Sequence, residues 1–226
     1  MRGKLIVIEG LDGSGKATQT ELAFKYICEK NKNSRRLSFP NYTSPSSALV
    51  RMYLDGEFSS SPDGVNAYAA SAFYAVDRCS AFLKEWKNDY INGSIFIADR
   101  YATSNAIYQM GKLPENEWEM FLDWISDFEY TKLGIPKPDK VIYLDMAVEI
   151  SQRLMSERYN GDENKKDIHE SNVDFLRECR KSAVYASKKC GWRVISCDDG
   201  KNPRPIDDIF CDIRKIIDEV IINDKI

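Results

Sequence analysis

Four apolar residues, Leu5-Ile6-Val7-Ile8, lead within two residues into Gly10-Leu11-Asp12-Gly13-Ser14-Gly15-Lys16, and a helical pattern follows at once. The run is short, largely β-branched and without polar alternation, which suits a strand buried on both faces of a parallel sheet. From Lys16 to about Lys30 the apolar residues Leu22, Ala23, Tyr26 and Ile27 recur at helical spacing. A strand, a glycine loop and a helix in that order form the context in which a glycine pattern reads as a phosphate cradle. Gly13 and Gly15 let backbone N–H groups turn inward, the helix start adds the positive end of its dipole, and Lys16 sets a point charge on the outer phosphates. The expected triphosphate-binding residues are therefore Gly10, Leu11, Asp12, Gly13, Ser14, Gly15, Lys16, Ala17 and Thr18. The competing reading is a turn that is merely tight.

Two residues of the loop are unusual. Ala17 stands where such loops carry the Ser or Thr that ligates Mg²⁺, and Thr18 comes one residue late. A metal would then rest mostly on water, phosphate oxygens and carboxylates. Asp12 would repel a phosphate unless it points elsewhere, toward a hydroxyl or the metal, or unless it serves only to form the turn.

Further strands are expected at Arg36–Phe39, Ile95–Ala98, Val141–Leu144 and Arg193–Ser196, each separated from the next by helical patterns. Those patterns cover Ser46–Leu54, a long stretch from Val65 to about Tyr90, Glu115–Leu133, Glu149–Glu157, Asn172–Lys189 and Pro205–Ile222. The alternation predicts an α/β fold with a five-stranded parallel sheet covered by helices on both faces. The 226 residues fit one such domain, spanning 1–226. No repeat, proline-rich linker or low-complexity tract marks a second one, and Pro136-Lys137-Pro138 reads as a stiff loop before a strand. The stretch Arg158–Glu170 is polar, contains Gly161 and reads as a mobile lid or an exposed turn, within a lid of about 153–170.

Composition narrows the partners. Apolar residues make up 43% and charged residues 30%, ordinary values for a chain that folds alone. The net charge of −3 draws the molecule neither to nucleic acid nor to anionic membrane, so any anion must be held by a local site. The apolar run at the N-terminus is too short for a signal segment or a membrane span. The 6 cysteines stand singly, without a C-x-x-C pair, and read as reduced thiols of a cytoplasmic protein. The single histidine, His169, lies in the polar stretch and reads as a surface residue that cannot complete a nucleophilic triad.

A phosphate cradle alone does not separate a kinase from a regulatory GTPase or a non-catalytic nucleotide-binding module. Asn164-Lys165-Lys166-Asp167 matches a guanine-recognition signature. It follows polar, turn-like residues instead of a buried strand, and so reads as a coincidence. A second constellation is more informative: Ile95–Ala98 runs into Asp99-Arg100, at the strand end where ligands sit in an open parallel sheet. Asp99 there can hold Mg²⁺ through water and Arg100 can bind a phosphate bidentately, or the two form a structural pair. In Tyr74-Ala75-Val76-Asp77-Arg78 the aromatic ring and the guanidinium lie four residues apart on one helix face, which suits a nucleobase. Tyr74 alone would read as core.

Together these residues resemble the thymidylate kinase family over most of the chain. The likeness is carried by EGLDGSGKATQT at Glu9–Thr20, FPNY at Phe39–Tyr42, FYAVDR at Phe73–Arg78, DRYATSNAIYQ at Asp99–Gln109, LGIPKPD at Leu133–Asp139, and the charged lid. The resemblance implies a nucleoside monophosphate kinase fold, transfer of the ATP γ-phosphoryl group to dTMP giving dTDP, Mg²⁺ as cofactor and a homodimer. It also implies that Asp12 meets the deoxyribose 3′-hydroxyl or the magnesium shell, and that Tyr42 and Arg100 bind the dTMP phosphate beside Phe39 and Pro40. Tyr74 falls where the family stacks thymine on Phe, Arg78 where it bonds the base O4, Asn105 at the base edge, and Tyr108 beneath the sugar. Gly13 occupies a place where some members carry an arginine. The transferring charge must then be met by Lys16, Arg100 and a lid cation, with Arg153, Arg158, Lys165 and Lys166 as candidates that equally suit a solvated charged face. A deoxynucleoside kinase or a guanylate or uridylate kinase stays open as an alternative.

Overall fold

The computed structural model describes residues 2–162 and 167–222. Five strands, β1 (Lys4–Gly10), β2 (Ser34–Ser38), β3 (Ile95–Asp99), β4 (Lys140–Asp145) and β5 (Arg193–Ser196), form one sheet. Their order is β2-β3-β1-β4-β5 and every pair is parallel. β1 lies in the centre, so its two faces are both covered and its side chains divide by alternation. Ile6 and Ile8 share a core with Ala23 and Ile27 of α1 (Lys16–Lys30) and with residues 213 and 217, both Ile, of the C-terminal helix. Leu5 and Val7 belong to the opposite core, with Phe82, Trp86, Phe96 and Tyr101. The register pairs Ile8 with Asp99 and Ile6 with Ile97, which brings the glycine loop and the Asp99-Arg100 segment to the same edge of the sheet.

Between the strands lie α2 (Ala48–Leu54), α3 (Ala67–Ala81), α4 (Lys87–Ile91), α5 (Asn105–Tyr108), α6 (Trp118–Ser126), α7 (Val148–Arg158) and α8 (Val173–Cys190), and the chain's last described helix is α9 (Ile206–Ile222). Two helices expected to be continuous are not regular. The stretch expected from Val65 to Tyr90 widens into a π-turn at Phe82–Trp86, and the one expected at Glu115–Leu133 starts with a 3₁₀ turn and ends in a π-turn at Asp127–Lys132. Such turns shift the facing of every later side chain. In the first, Trp86 is seated among Phe82, Tyr90, Phe96 and Tyr101 with only 1% of its surface exposed. In the second, Glu129 turns fully inward. The helical path at 102–112, which carries Asn105 and Tyr108, has too few residues per turn type to show a helical period.

Glu129 meets Arg78 of α3, and both side chains are almost completely buried. Arg78 Nε donates to Glu129 Oε2 at 2.8 Å and its Nη2 donates to Oε1, a bidentate pair. Removing one partner of a buried pair strands the other as an uncompensated charge, so Glu129→Ala is expected to lower stability by about 3–5 kcal/mol. Urea denaturation should show a reduced midpoint with an unchanged slope, and an Arg78→Met, Glu129→Leu double variant should recover part of the loss. Equal midpoints for the parent and Glu129→Ala would contradict this.

Candidate functional site

The loop after β1 is shaped by two glycines in the left-handed region, Gly13 at φ 81° and Gly15 at φ 84°. Gly15 precedes α1 without any side-chain cap, and the first turn carries no acidic residue. The N–H groups of that turn therefore keep their donors free for an anion. Lys16 is buried, its ammonium donating to the Leu11 carbonyl at 2.8 Å and standing 3.6 Å from Asp12. Burial lowers the Lys16 pKa, the neighbouring Arg100 lowers it further, and Asp12, Asp99 and Glu9 oppose both. Ala17 and Thr18 lie exposed at the start of α1. Gly13 cannot be replaced by a larger residue: a Cβ there would lie 2.3 Å from the Ser151 carbonyl oxygen of α7. This contact leaves no room for a side chain at position 13.

Beside the loop opens a cleft of about 240 Å³, lined by Asp12, Tyr42, Tyr74, Arg78, Asp99 and Arg100 among others. Phe39, Pro40, Asn105 and Tyr108 line it too, so every acceptor-side residue expected from the sequence borders one cavity. Asp12 joins cleft and loop. Arg100 Nη2 donates to Asp12 Oδ1, and Tyr108 donates its hydroxyl proton to Oδ2 at 2.9 Å. Arg100 also donates to the Tyr108 hydroxyl oxygen at 3.2 Å, with its guanidinium 5.0 Å from the ring centre. Burial would raise the Asp12 pKa, but the charges of Arg100 and Lys16 and the Tyr108 hydrogen bond overcome it and hold the carboxyl well below the usual range. Arg100 has φ 64°, a left-handed conformation for a non-glycine residue.

That conformation is held by a group sequence reasoning missed. Glu9 is fully buried at the end of β1 and accepts hydrogen bonds from the Tyr101 N–H (3.1 Å), the Thr103 hydroxyl (2.7 Å) and the Ser104 hydroxyl. It clamps the turn that carries Arg100. The available signal was a carboxylate inside an otherwise apolar strand, directly before the glycine loop. Asp77, also buried, does the same for the Phe39–Tyr42 segment, accepting from the Asn41 N–H at 2.8 Å and the Ser46 hydroxyl at 2.6 Å.

On the base side, Tyr74 and Arg78 share a face as their spacing implied. Asn105 Nδ2 donates to Glu129 Oε1 at 3.1 Å, so Glu129 holds Asn105 and Arg78 together. Arg78 Nη1 has no protein hydrogen bond among the described residues.

One expectation changes. His169 is not a surface residue: it is 4% exposed, its Nε2 lies 2.8 Å from the Tyr53 hydroxyl, and its ring stacks on Tyr108. Burial, aided by Lys112, pushes its pKa down to about 3. The segment at 167–171 is polar, yet Ile168 packs against the cluster of Val50, Tyr53 and Leu54 and carries the histidine inward. Among the lid cations, Arg153 is exposed on α7 and donates to the Lys201 carbonyl at 3.0 Å, outside the cleft lining. Arg158 is also exposed, at the end of α7. Lys165 and Lys166, like Asn164 of the guanine-type signature, lie outside the described residues.

For Mg²⁺, no group of three or more potential protein ligands occurs among the described residues. Asp99 at the cleft rim and Asp12, already paired with cations, fit an ion held by one or two carboxylates with phosphates and water supplying the rest. No helix among the described residues is long and apolar enough to cross a membrane.

Comparison with known proteins shows the family. The thymidylate kinase family profile matches residues 8–202. A thymidylate kinase of Mycobacterium tuberculosis is 31% identical over 203 residues, 86% of this chain and 92% of that protein. A thymidylate kinase of Plasmodium falciparum is 32% identical over 192 residues, 83% of this chain and 84% of that protein. In fold, the chain superimposes on thymidylate kinase structures from Candida albicans (TM-score 0.69, 22% identity, 96% of this chain and 92% of that one) and Ehrlichia chaffeensis (TM-score 0.67, 20% identity, 96% and 100%). With a glycine cradle and an Asp-Arg-Tyr cleft meeting at one sheet edge, and this likeness along nearly its whole length, the chain belongs to the thymidylate kinase family, phosphotransferases of the nucleoside monophosphate kinase type.

Proposed function

We propose that this chain transfers the γ-phosphoryl group of ATP to dTMP, giving ADP and dTDP, in one domain over 1–226 with a lid at about 153–170. The observation that carries the reading is Asp12, which belongs at once to the phosphate loop and to the cleft. In this reading the triphosphate lies on the N–H groups of the loop and of the first turn of α1, with Lys16 at its outer phosphates. Ser14 Oγ, buried with no hydrogen-bond partner among the described residues, is a donor such a phosphate would satisfy. The acceptor enters the cleft with its base between Tyr74 and Arg78, where Arg78 Nη1 and Asn105 face a base edge. Its sugar rests on Tyr108 and its phosphate lies beside Arg100 and Tyr42.

A phosphate oxygen of dTMP attacks the γ-phosphorus, the bond to the β-phosphate oxygen breaks, and ADP leaves with that electron pair. The attacking oxygen is already anionic, so no general base is needed, and positioned cations stabilise the charge that spreads over the equatorial oxygens. Lys16 and Arg100 supply two of them, and Arg153 and Arg158 are assigned to the lid's contribution. Asp99 and Asp12 would hold Mg²⁺, which when bound would neutralise further phosphate charge. The same reading places the protein in the cytoplasm and makes it a homodimer, in keeping with the exposed apolar side chains of Val76, Leu83 and Met120.

A coupled assay with dTMP, dUMP, GMP, UMP and thymidine as acceptors tests the reading, with dTMP expected to give the highest kcat/KM. Turnover of thymidine in preference to dTMP would make the chain a nucleoside kinase instead. Lys16→Ala is expected to lower kcat by about a hundredfold or more. A Lys16→Ala enzyme running at the parent rate would remove the cradle from the mechanism.

The pH dependence follows from the Asp12 environment. A carboxyl whose pKa is depressed in the folded protein stays ionised, and keeps its contribution, until pH falls through that low folded value. The acidic limb of kcat/KM for dTMP should therefore follow the acceptor's own second phosphate ionisation, near pH 6 by analogy with other phosphate monoesters. A limb centred near pH 7 would point instead to Asp167, a carboxylate of the cleft lining whose pKa burial pushes up to about 7.

A further inference from the structure

Lys112 ends a short turn after α5 and does not line the cleft. Its ammonium donates to the Tyr53 hydroxyl oxygen at 2.7 Å and to the Val65 carbonyl at 3.0 Å, and it stands 4.8 Å from the centre of the Tyr53 ring. Tyr53 of α2 is 1% exposed and also lies outside the cleft lining. Removing an ammonium from water is costly, and these bonds are what offsets it. Burial brings the Lys112 pKa down to about 8, so the group is still charged at neutral pH.

The direction of the hydrogen bonds follows by elimination. An ammonium has three donors and no acceptor, so Lys112 can only give a proton to the bond with Tyr53. Tyr53 then has one proton of its own to place among His169 Nε2 at 2.8 Å, the Pro62 carbonyl at 3.4 Å and the neighbouring Gln109 side chain, whose Oε1 makes no hydrogen bond among the described residues. The 2.8 Å contact takes it, because a hydrogen bond at 3.4 Å is weak. His169 Nε2 is therefore an acceptor and the ring proton sits on Nδ1. A free neutral imidazole favours the opposite tautomer, so this one is imposed by the surroundings.

The imidazole so held lies flat on Tyr108, with ring centres 5.5 Å apart and planes 13° from parallel, and Phe175 packs against it at 5.1 Å. Tyr108 in turn donates to Asp12 and accepts from Arg100. We propose that Lys112 and Tyr53 are positioning residues for the acceptor: they keep His169 neutral, protonated on Nδ1 and stacked on Tyr108, and Tyr108 thereby holds the Asp12–Arg100 pair in place. The part of this proposal that concerns the acceptor rests on the dTMP reading above, whereas the tautomer does not.

His169 is the chain's only histidine, so the nitrogen-15 spectrum of the labelled protein contains a single imidazole. At about pH 7 the parent protein should show a proton on Nδ1 and a bare Nε2. Tyr53→Phe keeps the ring and deletes the donor, and is expected to move the proton to Nε2. It should raise the KM for dTMP about tenfold, the scale of one net hydrogen bond, while kcat and the KM for ATP stay within about twofold. Lys112→Met should shift both readouts the same way, and Lys112→Arg, which retains a cationic donor, should restore them. A parent ring protonated on Nε2, or a Tyr53→Phe enzyme with the parental KM for dTMP, would overturn the proposal. If Tyr53→Phe does not fold, the parent spectrum and the contrast between Lys112→Met and Lys112→Arg decide it by the same criteria. Absence of dTMP turnover in the parent would overturn the acceptor reading and leave the relay to be decided by the tautomer.

Discussion

Asp12 is a carboxylate placed inside a loop built for anions, and the site depends on how that conflict is resolved. Alone, its charge would oppose a phosphate on the same N–H groups. Arg100 from the end of β3, Lys16 from the start of α1 and the Tyr108 hydroxyl from α5 converge on it, so its charge is spent on neighbours. The contacts from Arg100 and Tyr108 tie two separate segments to the loop. The cleft and the cradle consequently share a wall and keep a fixed relation, which a transfer between two bound nucleotides requires.

Around this centre the molecule uses buried carboxylates as clamps. Glu9 holds the turn bearing Arg100, Asp77 holds the segment bearing Tyr42, and Glu129 holds Arg78 with Asn105. Each receives two or more hydrogen bonds, which is what makes a buried carboxylate tolerable. Two of the segments so held, at Tyr42 and Arg100, are loops, whose backbones have no ladder to fix them. A charge-assisted bond to a neighbouring element supplies that rigidity locally. Arg100, with its left-handed φ, illustrates the outcome: the strain is borne at the site and compensated by the bonds beneath it.

Much of the fold was legible in the amino-acid order. The five strands were each found to within a few residues: β1, β3 and β4 as buried apolar runs, and the edge strands β2 (Ser-Arg-Arg-Leu-Ser) and β5 (Arg-Val-Ile-Ser), whose side chains are mostly half-buried or exposed, through their place between helical patterns. The cradle was legible because its chemistry is local: glycine conformations, a helix start and a lysine all fall within seven residues. Arg100, Tyr74 and Arg78 were found through short patterns at a strand end and on a helix face, Tyr108 only through the family resemblance, and the structure brings all four to one cavity. The π-turns escaped, since a single extra residue in a helical turn leaves the apolar period nearly unchanged. Glu129 escaped with them, reading as one more charge on a solvated face. His169 was misplaced for a related reason, as a histidine among polar neighbours gives no sign that Ile168 beside it will dock on α2.

The sequence by itself determined the strand-loop-helix cradle, the parallel sheet and the residue types able to hold two nucleotides, because those follow from backbone preference and side-chain period over short spans. Only the tertiary structure decided which charges are paired, which way the polar segment at 167–171 faces, and that a side chain at position 13 would meet the Ser151 carbonyl. Those outcomes depend on atoms brought together from distant positions in the chain, such as Asp12 with Arg100 or Tyr53 with His169, and no local pattern encodes such a distance.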